Sequence, residues 1–428
     1  MRILARLAAG VVAAAGLATG ATGSAAAHGA DRSPIDHVVI LMQENRSFDS
    51  YFAQLHFEGQ PRTAAEPRHA SNPNPLDVAA PPIRAFHATD YCVSADLNHS
   101  WTGTHDEIDG GRMDGFTAAN VDPTDPTGSR AMGFYTAGDL PFYYSLLSTF
   151  AMGDRYFASV PGPTFPNREY LLAGTSFGHI MNDLPATGLT GRSIFNELDE
   201  AGVSWKIYFS DVPAGFLFAY VRAHAAGHVV PVSQYFADAA AGTLPQVAFV
   251  DPMFGGDKNT ESDEHPPANI QVGQQFVAGV VNALFKSPDW PSSAFFLTYD
   301  EHGGYYDHVA PPRAVVPDDI PPMLQAGDTV AAFDRYGVRV PAVVISPFAR
   351  PRFVSHDVFD HTSILRFVEQ RFRLPALTRR DAAANPMTDL FDFDRPAFVH
   401  PPTLRPAEIN QAQFAACAAS PASSGGGV

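Results

Sequence analysis

Two apolar runs that stop abruptly at acidic residues constrain this chain more than any other feature. Asp36-His-Val-Val-Ile-Leu-Met42 is continuous rather than alternating, the pattern of a strand buried on both faces of a parallel or mixed sheet. It runs straight into Gln43-Glu44-Asn45-Arg46-Ser47-Phe48-Asp49. The apolar stretch 294–297 likewise leads into Tyr299-Asp300-Glu301-His302-Gly303-Gly304. Open α/β sheets bind their ligands outside the carboxyl ends of their strands. Adjacent carboxylates at such an end repel each other unless a cation lies between them. An exposed acidic turn would need no such ligand, so burial of the preceding strand is what favours a site.

Strand and helix patterns alternate through the rest of the chain. Ser47 is placed to cap a helix running through Phe48 and Tyr51. Helices are expected over 140–150, 166–173, 193–201, 272–286 and 361–372, and strands over 154–160, 204–209, 246–250, 294–299 and 341–345. Residues 57–90, rich in Pro, Asn and Ala, read as a surface excursion. The expectation is an α/β fold, a central, mostly parallel sheet with helices on both faces. One catalytic domain over 34–410 accounts for the pattern, with a disordered tail at 420–428.

Residues 1–27 read as a cleaved secretory signal. Arg2 and Arg6 precede a short apolar stretch, and Ala25-Ala26-Ala27 supplies small residues for cleavage. The protein is therefore expected outside the cytoplasm of a bacterium, extracellular or periplasmic. In that setting Cys92 and Cys417 either form one disulfide or remain two buried thiols. The formal charge of −17, with lysine only at 206, 258 and 286, excludes a nucleic-acid partner, which would need a basic face. It also disfavours electrostatic adhesion to anionic membranes. A phosphate-handling site here must draw its positive charge from a metal ion.

The polar clusters suit that chemistry. Glu44 and Asn45 supply one charged and one neutral oxygen, suited to a hard divalent cation, although a helix cap is the commoner role for such a pair. Thr164, in Val160-Pro-Gly-Pro-Thr-Phe-Pro-Asn-Arg-Glu-Tyr170, falls in a constrained turn just before a helix. It is either an ordinary N-cap or a hydroxyl set where a phosphoryl group would meet the positive end of the helix dipole. Several histidines stand near acids or in tight turns: His99, His105, His265, His308 and His361. A neighbouring carboxylate holds a histidine in one tautomer and makes it more basic. His361 reads as a helix start, and His308 as the close of a turn.

Five segments in order resemble the bacterial phospholipase C and acid phosphatase family, to which plant non-specific phospholipases C are related. They are 37–49, His99-Ser-Trp with His105 and Met113-Asp-Gly-Phe116, Pro161 to Arg168, Glu264-His-Pro-Pro267, and Tyr299 to His308. The resemblance implies an alkaline-phosphatase-like fold with one divalent ion, for which oxygen ligands favour Ca²⁺, Mg²⁺ or Mn²⁺ without excluding Zn²⁺. It implies Glu44, Asn45, Asp300 and Glu301 as metal ligands, with Thr164 as ligand and nucleophile. His265 would stand near the leaving group, and His99 and His105 would contact phosphate oxygens. The implied activity is a secreted phospholipase C that cleaves the glycerol-side phosphodiester bond through a phosphothreonine. An acid phosphatase acting on small monoesters is the alternative. In either case the substrate is a phospholipid or small phosphate ester, met in the first case by transient contact with a membrane surface. A non-catalytic extracellular binding protein of this fold would lack some of these residues, and none is missing. Thr164-Phe-Pro-Asn-Arg168 echoes the sulfatase motif, but threonine cannot become formylglycine, so sulfate esters are disfavoured.

Overall fold

The computed structural model describes residues 33–67, 69–93 and 96–419. The proposed signal at 1–27 and tail at 420–428 lie outside them. From Pro34 onward the described residues form one compact unit. Its centre is an eight-stranded sheet made of β1 (His37–Gln43), β2 (Ala151–Gly153), β3 (Trp205–Phe209), β4 (Val229–Pro231), β5 (Val247–Asp251), β6 (Ser293–Tyr299), β7 (Ala342–Ile345) and β8 (Val354–Ser355). Their spatial order is β8-β2-β7-β6-β1-β5-β3-β4. Five of the seven pairings are parallel, and β7 supplies both antiparallel ones. The α/β class expected from the sequence is the one observed.

β1 and β6 pair in parallel in the middle of the sheet, from His37 opposite Ser293 to Gln43 opposite Tyr299. That register brings Glu44 level with Asp300, so both acidic turns leave the sheet at one edge. Val38, Val39, Ile40, Leu41 and Met42 are all buried, which explains their continuous run. Truncating a central residue such as Ile40 to alanine would cost roughly 2–5 kcal/mol.

Three helices matter for the site. α1 (Trp101–Ile108) starts at Ser100, whose hydroxyl accepts the Gly103 N–H at 3.1 Å. α2 (Thr164–Ala173) and α3 (His361–Phe372) pack together near the strand ends. Thr164 is thus the first residue of its helix, after Pro163 as N-cap, rather than a residue of the preceding turn.

The expected strand at 154–160 is absent. The chain is in the ladder only over β2, then leaves it, with isolated bridges from Tyr156 to Phe359 and from Phe157 to Arg339. Asp154 ends the strand: its carboxylate accepts from Ala64 N–H at 2.8 Å and faces His356 Nδ1 at 2.8 Å. The apolar Tyr156, Phe157 and Val160 are buried all the same, so the strand-like composition reflects packing rather than a ladder. Phe142, Tyr143, Tyr144, Leu146 and Leu147, on the helix expected over 140–150, are core residues. Cys92 and Cys417 are joined in a disulfide, which resolves that alternative. No helix among the described residues is long and apolar enough to cross a membrane.

Candidate active site

Asn45 opens the site with a left-handed backbone, φ 58°, a conformation asparagine tolerates better than most residues. Its backbone N–H donates to Asp300 Oδ1 at 3.3 Å, and Arg46 N–H donates to Glu301 O at 3.1 Å, so the two acidic turns are laced together. Gly303 allows this approach: a Cβ there would lie 2.5 Å from Asn45 O. At Gly304 a Cβ would lie 2.5 Å from Leu97 Cβ, so the second glycine admits the segment carrying His99.

α2 reaches the same place from the other side. Asn167 pins its entry, donating to Gly162 O at 2.9 Å and Pro163 O at 3.0 Å. Thr164 and Arg168 lie four residues apart and share a helix face. Arg168 Nη2 donates to Glu44 Oε1 at 3.0 Å, and its Nε stands 3.3 Å from Asp300 Oδ2 without hydrogen-bond alignment. Glu44, Asn45, Asp300, Glu301, Thr164 and Arg168 are all buried.

Charge is unbalanced here. Burial, and then Glu44, push the Asp300 carboxyl up to about 8. Burial raises Glu44 too, and raises Asp263, whose backbone carbonyl accepts the Glu44 N–H at 2.8 Å. Burial also acts to raise Glu301, but His99 and His302 outweigh it and hold that carboxyl down. Both side-chain atoms of Asn45, together with Asp300 Oδ2 and Glu301 Oε1, are buried without a hydrogen-bond partner. Such orphans cost on the order of 1–3 kcal/mol each, more when charged. A divalent cation would engage these oxygens and offset the surplus charge, so the residues fit the ion the resemblance implies.

Around this centre the histidines divide. His99 is brought in: burial works against its charge, but Glu301 and Asp96 raise it to about 9. His265 stands beside it, with ring centroids 6.0 Å apart. Asp96 faces both, 3.8 Å from His99 Nδ1 and 3.6 Å from His265 Nε2. These three side chains form one group able to hold a cation, and Asp49, Asp307 and His308 form another. His105 is placed differently. Its Nδ1 faces Trp101 O at 2.6 Å and its ring packs against Trp101. Its charged neighbours are Asp106, Arg335 and Asp334, not the carboxylates of the centre.

Four supporting residues were given no role at the site by the sequence reading. His302 is buried between Glu107 Oε2 at 2.6 Å and Glu301 Oε2 at 3.4 Å; burial works against its charge, but Glu107 and Glu301 together outweigh it and raise its proton affinity to about 9. Its place inside the Asp-Glu-His-Gly-Gly turn was a usable signal, whereas Glu107 carried none. His361 begins α3 as expected, and its Nε2 faces Asp300 O at 2.7 Å. Burial drives its proton affinity down to about 3, so it acts as a neutral anchor for the Asp300 turn. Arg168 lies in a quoted motif, and its spacing from Thr164 was legible there.

The model of the Phosphoesterase family matches residues 35–375. Non-specific phospholipase C1 of Arabidopsis thaliana is 34% identical, with 84% of this chain and 71% of that protein covered. Phospholipase C B of Mycobacterium tuberculosis is 33% identical, with 88% and 81% covered. Among solved structures, a protein in the alkaline phosphatase superfamily from Vibrio parahaemolyticus is similar with a TM-score of 0.41 and 9% identity, over 83% of this chain and 71% of that one. The match spans most of this chain and takes in both acidic turns, the Thr164 helix and the His265 segment, and so the chain belongs to the phosphoesterase family.

Proposed function

We propose that this protein is a secreted, metal-dependent phospholipase C working through a phosphothreonine. The observation that carries the reading is the buried set of Glu44, Asn45, Asp300 and Glu301, in which the Asn45 side chain, Asp300 Oδ2 and Glu301 Oε1 lack hydrogen-bond partners and which Arg168 joins to the helix that begins with Thr164. The names of the relatives favour phospholipid as substrate. The Cys92–Cys417 disulfide suits an oxidising compartment outside the cytoplasm.

Glu44, Asn45, Thr164, Asp300 and Glu301 would hold one divalent ion, with Ca²⁺, Mg²⁺ or Mn²⁺ suited to oxygen donors and Zn²⁺ compatible. When bound, it supplies Lewis-acid polarisation of a phosphoryl oxygen and makes the Thr164 hydroxyl more acidic. Thr164 Oγ gives up its proton to solvent and attacks phosphorus, and the bond from phosphorus to the glycerol oxygen breaks. His265, as imidazolium, gives its proton to the departing diacylglycerol. Its Nδ1 faces Pro266 O at 2.6 Å, which orients the ring and leaves Nε2 toward Asp96 and the site. Water then attacks the phosphothreonine, and neutral His265 takes a proton from it. The bond from phosphorus to Thr164 Oγ breaks, Oγ regains its proton from solvent, and a phosphorylated head group is released. His99, cationic and buried, is suited to charge on the equatorial oxygens. His105 can join it only with its Nε2, since Nδ1 is engaged by Trp101.

The test is phosphorus NMR of products from phosphatidylcholine, phosphatidylethanolamine and phosphatidylinositol micelles, with and without a chelator, beside p-nitrophenyl phosphate. Chelator-sensitive release of a phosphorylated head group supports the proposal. Inorganic phosphate from the monoester, with lipid untouched, would replace it with the phosphatase reading.

A further inference from the structure

Five apolar side chains that water reaches lie on two joined strips beside the candidate site. Met181, Ile320, Met323, Leu324 and Val330 are 42%, 43%, 48%, 37% and 89% exposed. They belong to two strips, residues 178–182 and the proline-rich loop 317–330, and the strips are fixed to each other. Met323 N–H donates to Gly178 O at 2.8 Å, and Gln325 Nε2 lies 3.4 Å from Met181 Sδ. Gly178 lies so close beneath the loop that a Cβ there would fall 2.9 to 3.3 Å from Pro321, Ile320 and Met323. Single exposed apolar residues are ordinary on any surface, but a joined group of them marks a contact surface.

The patch is tied to both walls of the candidate site. Asn182 Oδ1, next to Met181, accepts the Phe165 N–H at 2.9 Å, and Phe165 follows Thr164. At the other end, Trp101 Nε1 donates to Thr329 O at 2.9 Å, and Thr329 N–H donates to Thr102 Oγ1 at 3.0 Å. Those residues open α1, immediately after His99. The apolar loop therefore spans from the nucleophile's helix to the segment of the phosphate-side histidine.

Charge narrows what could cover it. Residues 311–330 carry Asp318, Asp319 and Asp328 against Arg313 alone, with no lysine. Arg379 offsets Asp319, with 2.9 Å between Nη2 and Oδ1. An apolar surface fringed by negative charge is repelled by anionic lipid. A zwitterionic lipid surface meets no such repulsion and accepts Met, Ile, Leu and Val at the boundary between head groups and acyl chains.

We propose that Met181, Ile320, Met323, Leu324 and Val330 form the surface by which this protein settles on zwitterionic lipid, holding the mouth of the Thr164 site at the membrane boundary. The inference rests on the phospholipase C reading and names where that enzyme meets its substrate. The test uses the full chain, Met323→Asp/Leu324→Asp and, separately, Val330→Glu, whose side chain is too exposed to matter for folding. Flotation with dioleoylphosphatidylcholine vesicles is measured beside hydrolysis of monomeric dibutyroylphosphatidylcholine. The double variant is expected to partition at least ~10-fold more weakly, and Val330→Glu less so, with monomer hydrolysis within about twofold of the parent. Dioleoylphosphatidylglycerol vesicles should hold the parent chain less well than phosphatidylcholine. Unchanged partitioning in both variants would overturn the proposal. So would a parent chain that ignores vesicles and sediments as a dimer that either variant dissociates. Vesicle binding that the double variant abolishes, with no cleavage of the monomeric lipid by the parent, would leave the surface standing and remove the phospholipase C reading instead.

Discussion

Two acidic clusters grow from the ends of the same two strands and are built in opposite ways. β1 leads first to Glu44 and Asn45 and then to Asp49, while β6 leads first to Asp300 and Glu301 and then to Asp307 and His308. In the outer cluster the fold supplies the counter-charge. Arg339 donates from Nη2 to Asp49 Oδ1 at 3.0 Å and from Nε to Asp307 Oδ1 at 2.9 Å. Asp49 Oδ2 accepts the His308 N–H at 2.8 Å and faces its Nδ1 at 2.6 Å, and Asp307 Oδ2 accepts the Asp49 N–H at 3.2 Å. Every carboxylate oxygen there has a partner. The inner cluster sets Arg168, with His99 and His302 beside Glu301, against a larger set of acids, and it leaves the Asn45 side chain, Asp300 Oδ2 and Glu301 Oε1 without hydrogen-bond partners. Burial is common to both, so burial does not mark a site. A cluster that balances itself braces the fold, and one that does not is prepared for a ligand.

The comparison breaks first at the nucleophile. Thr164→Ala should lower kcat by at least ~10³ in steady-state assays while leaving the thermal midpoint nearly unchanged. Near-normal turnover would remove Thr164 from the chemistry. Arg339→Met should instead act on the fold, costing roughly 3–5 kcal/mol in urea titrations, because two buried carboxylates lose their cation. A loss below about 1 kcal/mol would mean that the outer cluster braces nothing.

A third test sets pH against metal. The Asp300 carboxyl sits near 8 when no cation is bound, above its unfolded value. Such a group costs nothing below the unfolded value, near 4, and destabilises increasingly as pH rises toward 8. The thermal midpoint of chelated protein should therefore fall from pH 5 to pH 8, Asp300→Asn should flatten that fall, and added divalent ion should reverse it. A flat profile in the chelated parent chain would show that the inner cluster is not frustrated. Glu107→Gln, which weakens the hold on His302 and hence on Glu301, should reduce metal affinity by roughly 10- to 100-fold in calorimetry. Unchanged affinity would make Glu107 merely a packing residue.

The smallest effect belongs to the outer cluster. Burial acts against charge on His308, but its bond to Asp49 raises its proton affinity above the ordinary value. Its contribution to stability is full below the unfolded value, near 6.5, and is lost as pH rises through the higher folded one. Asp49 is held below its usual range, since Arg339 and His308 outweigh its burial, so its contribution disappears only in strong acid. The destabilisation caused by His308→Gln should thus be larger at pH 6 than at pH 9. Equal losses at both values would show that the pair carries no charge-dependent stability.

Much of this was legible in the chain itself, for a definite reason. β1 and β6 are buried on both faces, so their residues had to be continuously apolar, and the acids that follow had to mark the strand ends. Short or irregular elements carried no such pattern. β4 has only three residues, ends in Pro231 and is at most half-buried, so it left no signature. α1 contains Gly103 and threonines that weaken a helical pattern, and its existence depends on the Ser100 cap and on packing.

The local sequence alone determined the central strands, the acidic turns after them and the threonine at a constrained helix start, because each depends on neighbours a few residues away. Pairing was decided only by the tertiary structure. Nothing in the chain shows that Arg339 neutralises Asp49 across 290 residues, whereas Glu44 and Asp300 must share Arg168. Nor could the chain show that Glu107 secures His302 across 195 residues, or that Met181 would meet the 317–330 loop at the rim of the site. Whether a buried charge is neutralised is a matter of distance in three dimensions, since its energy falls with separation in space and takes no account of separation along the chain.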